Sequence, residues 1–276
     1  MKAICNQAGG LLVAAAALGT GAPQSTTQDL RLSDIRAQQP KETIFASELC
    51  QRAREDSQGW VIKTHAIDPK TLVQDLNTLM ERSDEVILAG MLDYAVVPSP
   101  SGERPATYTE VKIVRSWKGP HRAGDVLTYG VPFGSLPCEQ PPPSSPTPRF
   151  DFVPADFGVT ASPPYAYLLF LRQSKGNETQ LVQGLRLAAG EGVQGIFMIQ
   201  VPAPLPTDTE RYCNGSRKWN VEHCNSYVET SQSPVLFPYA HDPLAKRYGG
   251  MSASDFLREV RSVATAEGLK EMSSSK

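Results

Sequence analysis

The chain has 276 residues, 40% of them apolar, with 27 Lys and Arg against 29 Asp and Glu for a net charge of -2. That length and apolar content suffice for a packed core, which excludes disorder of the whole. The balanced charge, with no basic run, excludes the usual electrostatic grip on nucleic acid.

Residues 1–22 read as a signal peptide. Lys2 gives a positive start, Leu11 to Leu18 an apolar stretch of the right length, and Gly19-Thr20-Gly21-Ala22 the small residues a signal peptidase accepts. Cleavage is expected near Ala22, giving an exported (periplasmic or extracellular) chain, and no second run long enough to span a membrane follows. Cleavage removes Cys5 and leaves Cys50, Cys138, Cys213 and Cys224, an even set that favours two disulfides in an oxidising compartment. Three connectivities are possible. Cys213–Cys224, which closes a short polar loop, is the preferred pair and leaves Cys50 with Cys138.

Residues 23–42 are polar and read as a flexible leader or a weak helix in which nothing needs burial, and 43–82 as an N-terminal helical segment. Within the latter, Phe45, Leu49 and Ala53 share a helical face that Gln58-Gly59 ends before a short apolar stretch, Trp60-Val61-Ile62. Asp68 and Pro69 then start a second helix with Leu72, Leu76, Leu79 and Met80 on one stripe. Strands are expected at Asp84–Val97, with Gly90 marking a bend or bulge, and at Thr107–Lys118 and Asp125–Val131. In the second of these, alternation places Thr109, Val111, Ile113 and Trp117 on one face. Pro132, Pro137, Pro141, Pro142, Pro143, Pro146 and Pro148 then predict a loop without strand or helix, carrying Cys138. Further strands are expected at Tyr165–Leu171, Gln180–Leu187 and Gln194–Val201. Residues 206–240 read as an irregular disulfide-tied loop, and 241–270 as a C-terminal helix capped by Ser252, with Asp255 at the capping-box position and Gly268 as its stop.

The order of a Gly-containing strand, a strand ending Trp117-Lys118-Gly119, a turn with Gly124, a third strand, Cys138 and then Tyr165–Leu171 resembles the OB-fold barrel of the tissue inhibitor of metalloproteinases and netrin-like superfamily, most of all its exported bacterial members. The resemblance covers about residues 83–202. It implies an α+β chain, mainly β, with an OB-like barrel over 83–205 flanked by N-terminal helices and a C-terminal helix. In the inhibitors a Cys at the mature N-terminus is bonded to one after the third strand, and its amine and carbonyl bind the protease zinc. Cys138 matches the second position, whereas Cys50 lies well inside the mature chain and has no free amine.

Chemistry-bearing motifs are few. His65, His121, His223 and His241 show no metal-binding helical spacing. His223 beside Cys224 is half of a zinc pattern at most, and export favours the disulfide. Gly134-Ser135 stands in the Pro-rich loop, not on a nucleophile elbow. Asp84-Glu85, Asp151 and Asp156 read as solvated carboxylates, and the aromatic residues Trp117, Tyr129, Phe133, Phe150, Phe152, Tyr165 and Tyr167 as core. Asn177 and Asn214 begin glycosylation patterns. No catalytic residue, metal ligand or cofactor is assigned. The expectation is an exported, non-enzymatic β-barrel module that binds an unidentified extracytoplasmic protein or ligand, not nucleic acid. The alternatives are a metalloproteinase-inhibitor-like protein and an unrecognised hydrolase, the last to be marked by a pocket uniting a His with carboxylates.

Overall fold

The computed structural model describes residues 31–37, 60–64, 73–98, 105–131, 134–137, 149–154, 165–174, 181–182, 185–186, 192–203, 219–237 and 243–272. Its strands are β1 (Trp60–Thr64), β2 (Glu85–Pro98), β3 (Pro105–Lys118), β4 (Val126–Val131), β5 (Gly134–Pro137), β6 (Arg149–Pro154), β7 (Tyr165–Ser174), β8 (Leu181–Val182), β9 (Leu185–Arg186) and β10 (Gly192–Pro202). Its helices are α1 (Leu32–Ala37), α2 (Leu76–Arg82), α3 (Val221–Thr230), α4 (Pro243–Tyr248) and α5 (Ala253–Ala266).

The main sheet runs β10-β4-β3-β2-β7, and β7 returns to β10. Four of these junctions are antiparallel ladders. The junction of β10 with β4 is a single parallel pair, Gln194 with Gly130. The closed OB-like barrel expected from the sequence is therefore not formed. The result is a five-stranded sheet whose edges meet at one residue pair, flanked by helices in an α+β arrangement. Two features keep that seam short. β4 has 6 residues, and a register shift between Gly195 and Phe197 bends β10. Beyond the bend, Gln200 exchanges backbone hydrogen bonds with Leu236 at 2.9 and 3.0 Å instead.

The two faces of the sheet bury separate clusters. Ile87, Ala89, Val111, Ile113, Leu127 and Leu169 pack on the inner face. Leu88, Val114, Trp117, Leu168 and Phe170 pack outward against Leu76, Leu79 and Met80 of α2, Val228 of α3 and Phe256, Leu257 and Val260 of α5. Trp117 thus faces away from Val111 and Ile113, contrary to simple alternation. Ile113 pairs with Ala89 while Arg115 pairs with the adjacent Leu88, so Val114 is an extra residue that reverses the pleat. The β3–β4 turn needs the left-handed backbone that glycine tolerates, with φ 106° at Gly119 and 96° at Gly124.

Gly90 has a different role. A Cβ placed there would lie 2.1 Å from Trp219 Cδ2. The indole lies against the β2 backbone and donates from Nε1 to Met91 O at 2.9 Å. Only a residue without a side chain admits a ring so close.

Four segment assignments need correction. Residues 43–82 are not all helical, because β1 pairs in parallel with β6. The Pro-rich segment holds a strand, β5, antiparallel to β6; β5 is an edge strand, where the missing N–H of Pro137 is tolerated. The 206–240 segment contains α3, which Asn220 caps by accepting from His223 N at 2.9 Å. The leader contains α1, whose Leu32 and Ile35 are buried against Ala95 and Val97. By contrast, α5 has the expected cap, Ser252 Oγ accepting from Asp255 N at 3.2 Å, and Gly268 follows it at φ 72°. In α2 the described cap is Asp75, accepting from Thr78 N at 2.8 Å; Asp68, Pro69 and Leu72 lie outside the described residues, as do Phe45, Leu49 and Ala53. Among the described residues, no helix is long and apolar enough to cross a membrane.

Candidate functional site

β3 outruns its neighbour. The β3–β4 ladder ends at Ile113, whose N–H donates to Asp125 O at 2.9 Å and whose carbonyl accepts from Gly124 N at 2.8 Å. The stretch from Val114 to Lys118 then has β2 on one side and no β4 on the other. An uncovered edge of this kind would invite another chain. Here it is covered by non-strand groups: Asn225 Nδ2 of α3 donates to Val114 O at 3.2 Å, and Met272 N, beyond α5, donates to Ser116 O at 2.9 Å.

Arg115 sits in the middle of this edge with its side chain only 5% exposed. Because Val114 reverses the pleat, the guanidinium points toward α3 and α5. Its Nε and Nη2 donate to Asn225 Oδ1 at 3.2 and 3.0 Å. Glu271 Oε1 lies 3.1 Å from Nε. Glu229 Oε1 lies 2.8 Å from Nη1, an ion-pair distance without good hydrogen-bond direction. Arg261 of α5 joins both carboxylates, at 2.6 Å to Glu229 and 3.3 Å to Glu271. The guanidinium also lies 5.7 Å from the centroid of the Trp117 ring. Alternating charges of this kind satisfy a buried guanidinium that would be costly alone. Burial raises the Glu229 carboxyl, but the Arg261 hydrogen bond and the Arg115 charge outweigh it and hold the group below its ordinary value.

Cys224 lies beneath this cluster. It is a free, buried thiol, and burial pushes it up to about 12, the Arg115 charge opposing that only in part. Cys224 faces the core from a helix, not from the irregular loop expected of 206–240. Cys213, Cys50 and Cys138 lie outside the described residues. His223 is exposed while its neighbour Cys224 is buried, so the two do not converge on one metal. Among the described residues, no group of three or more His, Cys, Asp and Glu stands close enough to hold a metal ion.

A second polar pair closes the other end of the β3–β4 turn. His121 Nδ1 is 2.7 Å from Glu85 Oε1, both side chains being largely buried. Glu85 is therefore not the solvated carboxylate expected, and its Cγ would lie 2.8 Å from a Cβ at Gly119. The pair ties the turn to the first residue of β2. Asp84 accepts from Gln173 N at 2.8 Å, and Ser135 lies in β5. Trp117, Tyr129 and Tyr167 are core residues as expected. His65, His241, Phe133, Asp156, Asn177 and Asn214 lie outside the described residues.

Comparison with protein-family models, with curated proteins and with solved structures found no match to this chain.

Proposed function

We propose that the chain is an exported, non-enzymatic binding module of OB type, allied to the exported bacterial members of the inhibitor and netrin-like superfamily, that recognises a protein or other ligand outside the cytoplasm. The strand arrangement supports this reading. A β2–β3–β4 meander, β7 beside β2, and β10 antiparallel to β7 but parallel to β4 make up the strand order that a five-stranded, partly open Greek-key barrel would need. The observation that carries the functional half is Arg115. Its guanidinium stands at a sheet edge and holds carboxylates, which is the chemistry of recognition, since a planar fork of donors matches a carboxylate and cannot give up its proton.

Cell fractionation with intact-mass measurement tests this. The protein recovered outside the cytoplasm should begin near Pro23; a cytosolic chain retaining Met1 would overturn it.

Among the described residues, the Glu85–His121 pair is the feature that favours the hydrolase reading, because a carboxylate can orient an imidazole for proton transfer. Turnover by the purified chain that His121→Gln abolishes without loss of folding would favour that reading over ours.

A further inference from the structure

We infer that the edge of β3 at Arg115 and Ser116, which β4 leaves unpaired, is a strand-addition site for an extended peptide bearing a carboxylate, and that the chain's own Glu271–Met272 segment occupies it in cis. The inference rests on the binding-module reading for its purpose and on the tail for its geometry. Three contacts define the seat. The backbone of Met272 forms an antiparallel bridge with Ser116, its N–H donating to Ser116 O at 2.9 Å. One residue earlier, the Glu271 carboxylate meets Arg115 Nε at 3.1 Å. Arg261 reaches the same carboxylate at 3.3 Å from the side. Backbone pairing supplies affinity without regard to sequence, and the buried guanidinium adds a requirement for a carboxylate at one register position, the usual division of labour in β-augmentation.

The tail is held as a displaceable occupant would be. Leu269 anchors its root, donating from N to Ala264 O at 2.9 Å and packing on the outer core, but beyond it one isolated bridge fixes the tail to the sheet, and the Glu271 side chain remains 33% exposed while the Arg115 side chain beneath is 5% exposed. Asn225 and Glu229 of α3 would stay in place when the tail leaves, so the guanidinium would keep part of its shell. An incoming segment with Glu or Asp at the Glu271 position would restore the rest. Because the tail is tethered, it competes at high effective concentration, and an external peptide binds weakly until the tail is loosened.

The test uses the full chain and a fluorescent, end-blocked peptide of the Ala266–Met272 sequence, with fluorescence anisotropy as readout. The unaltered protein should bind it weakly. Glu271→Gln in the protein, which loosens the tail, should tighten binding at least tenfold, and a peptide carrying Gln at the Glu271 position should lose that gain. Equal binding by both proteins, or by both peptides, would overturn the proposal. Native-state hydrogen exchange gives a second reading that needs no peptide. The Met272 amide should be protected in the unaltered chain and exchange at least tenfold faster in Glu271→Gln, whereas an unchanged rate would count against the tail as a charge-held occupant. Failure here leaves the export result standing, so the two proposals fall separately.

Discussion

Gly90→Ala is the sharpest test of how the outer layer is built. The added methyl would sit 2.1 Å from Trp219 Cδ2, 2.2 Å from Cε2 and 2.6 Å from Cγ. These are ring atoms of a side chain that is 6% exposed and pinned by its Nε1 bond to Met91 O, so no flexible end can move aside. Overpacking costs about 1–3 kcal/mol. Displacing the ring also leaves a buried carbonyl without its donor, for about 1–3 kcal/mol more. The sum, roughly 2–6 kcal/mol, should appear as a lower urea midpoint followed by far-UV circular dichroism. In a Trp219→Ala background the same methyl enters vacated space, and its cost should fall below about 1 kcal/mol, a strong coupling in the double-mutant cycle. Additive effects, or a loss under about 1 kcal/mol for Gly90→Ala alone, would refute the stacking of Trp219 on β2.

Other perturbations probe separate parts of the molecule. Leu169→Ala and Ile113→Ala, both fully buried on the inner face, should each cost about 2–5 kcal/mol in denaturant melts, and losses under about 1 kcal/mol at both would reject that core. Glu229 has a depressed folded pKa, so its contribution to stability is complete above its ordinary value of 4.5 and lost as pH falls through the lower folded value. Acid melts should therefore show a stability loss in that window that Glu229→Gln reduces; identical profiles would contradict the ion pairs. Cys224, a buried free thiol raised to about 12, should resist a thiol reagent in the native state and react on unfolding. Rapid native labelling at this position would contradict its burial.

The meander was readable because its signals are local. Alternating apolar residues and the glycines of the Gly119–Gly124 turn lie within the elements they define, and the strand ends fall within two residues of expectation. The face of Trp117 was not readable, since the extra residue at Val114 is set by pairing with β2 and leaves no mark in β3 itself. α3 did carry a signal: Asn220 as cap, then Val221, Cys224 and Val228 at helical spacing. Reading Cys213 and Cys224 as loop-tying cysteines overrode it. Likewise Leu32 and Ile35, three apart, are enough for one short buried face. The Arg115 cluster had no local signal, because Asn225 lies 110 positions away and an arginine between two apolar residues looks like any solvated strand position until the pleat reverses. The pairing of His121 with Glu85, 36 positions apart, is legible only once the turn between β3 and β4 is closed.

The strand order is the claim on which the rest depends, and cross-strand nuclear Overhauser contacts in a labelled sample test it directly. β7 should lie between β2 and β10, with backbone contacts linking Leu88 to Leu168 and Ile199 to Leu168, and Gln194 of β10 should approach Gly130 of β4. Contacts that instead pair β10 with β2, or that place β4 beside β7, would contradict that order.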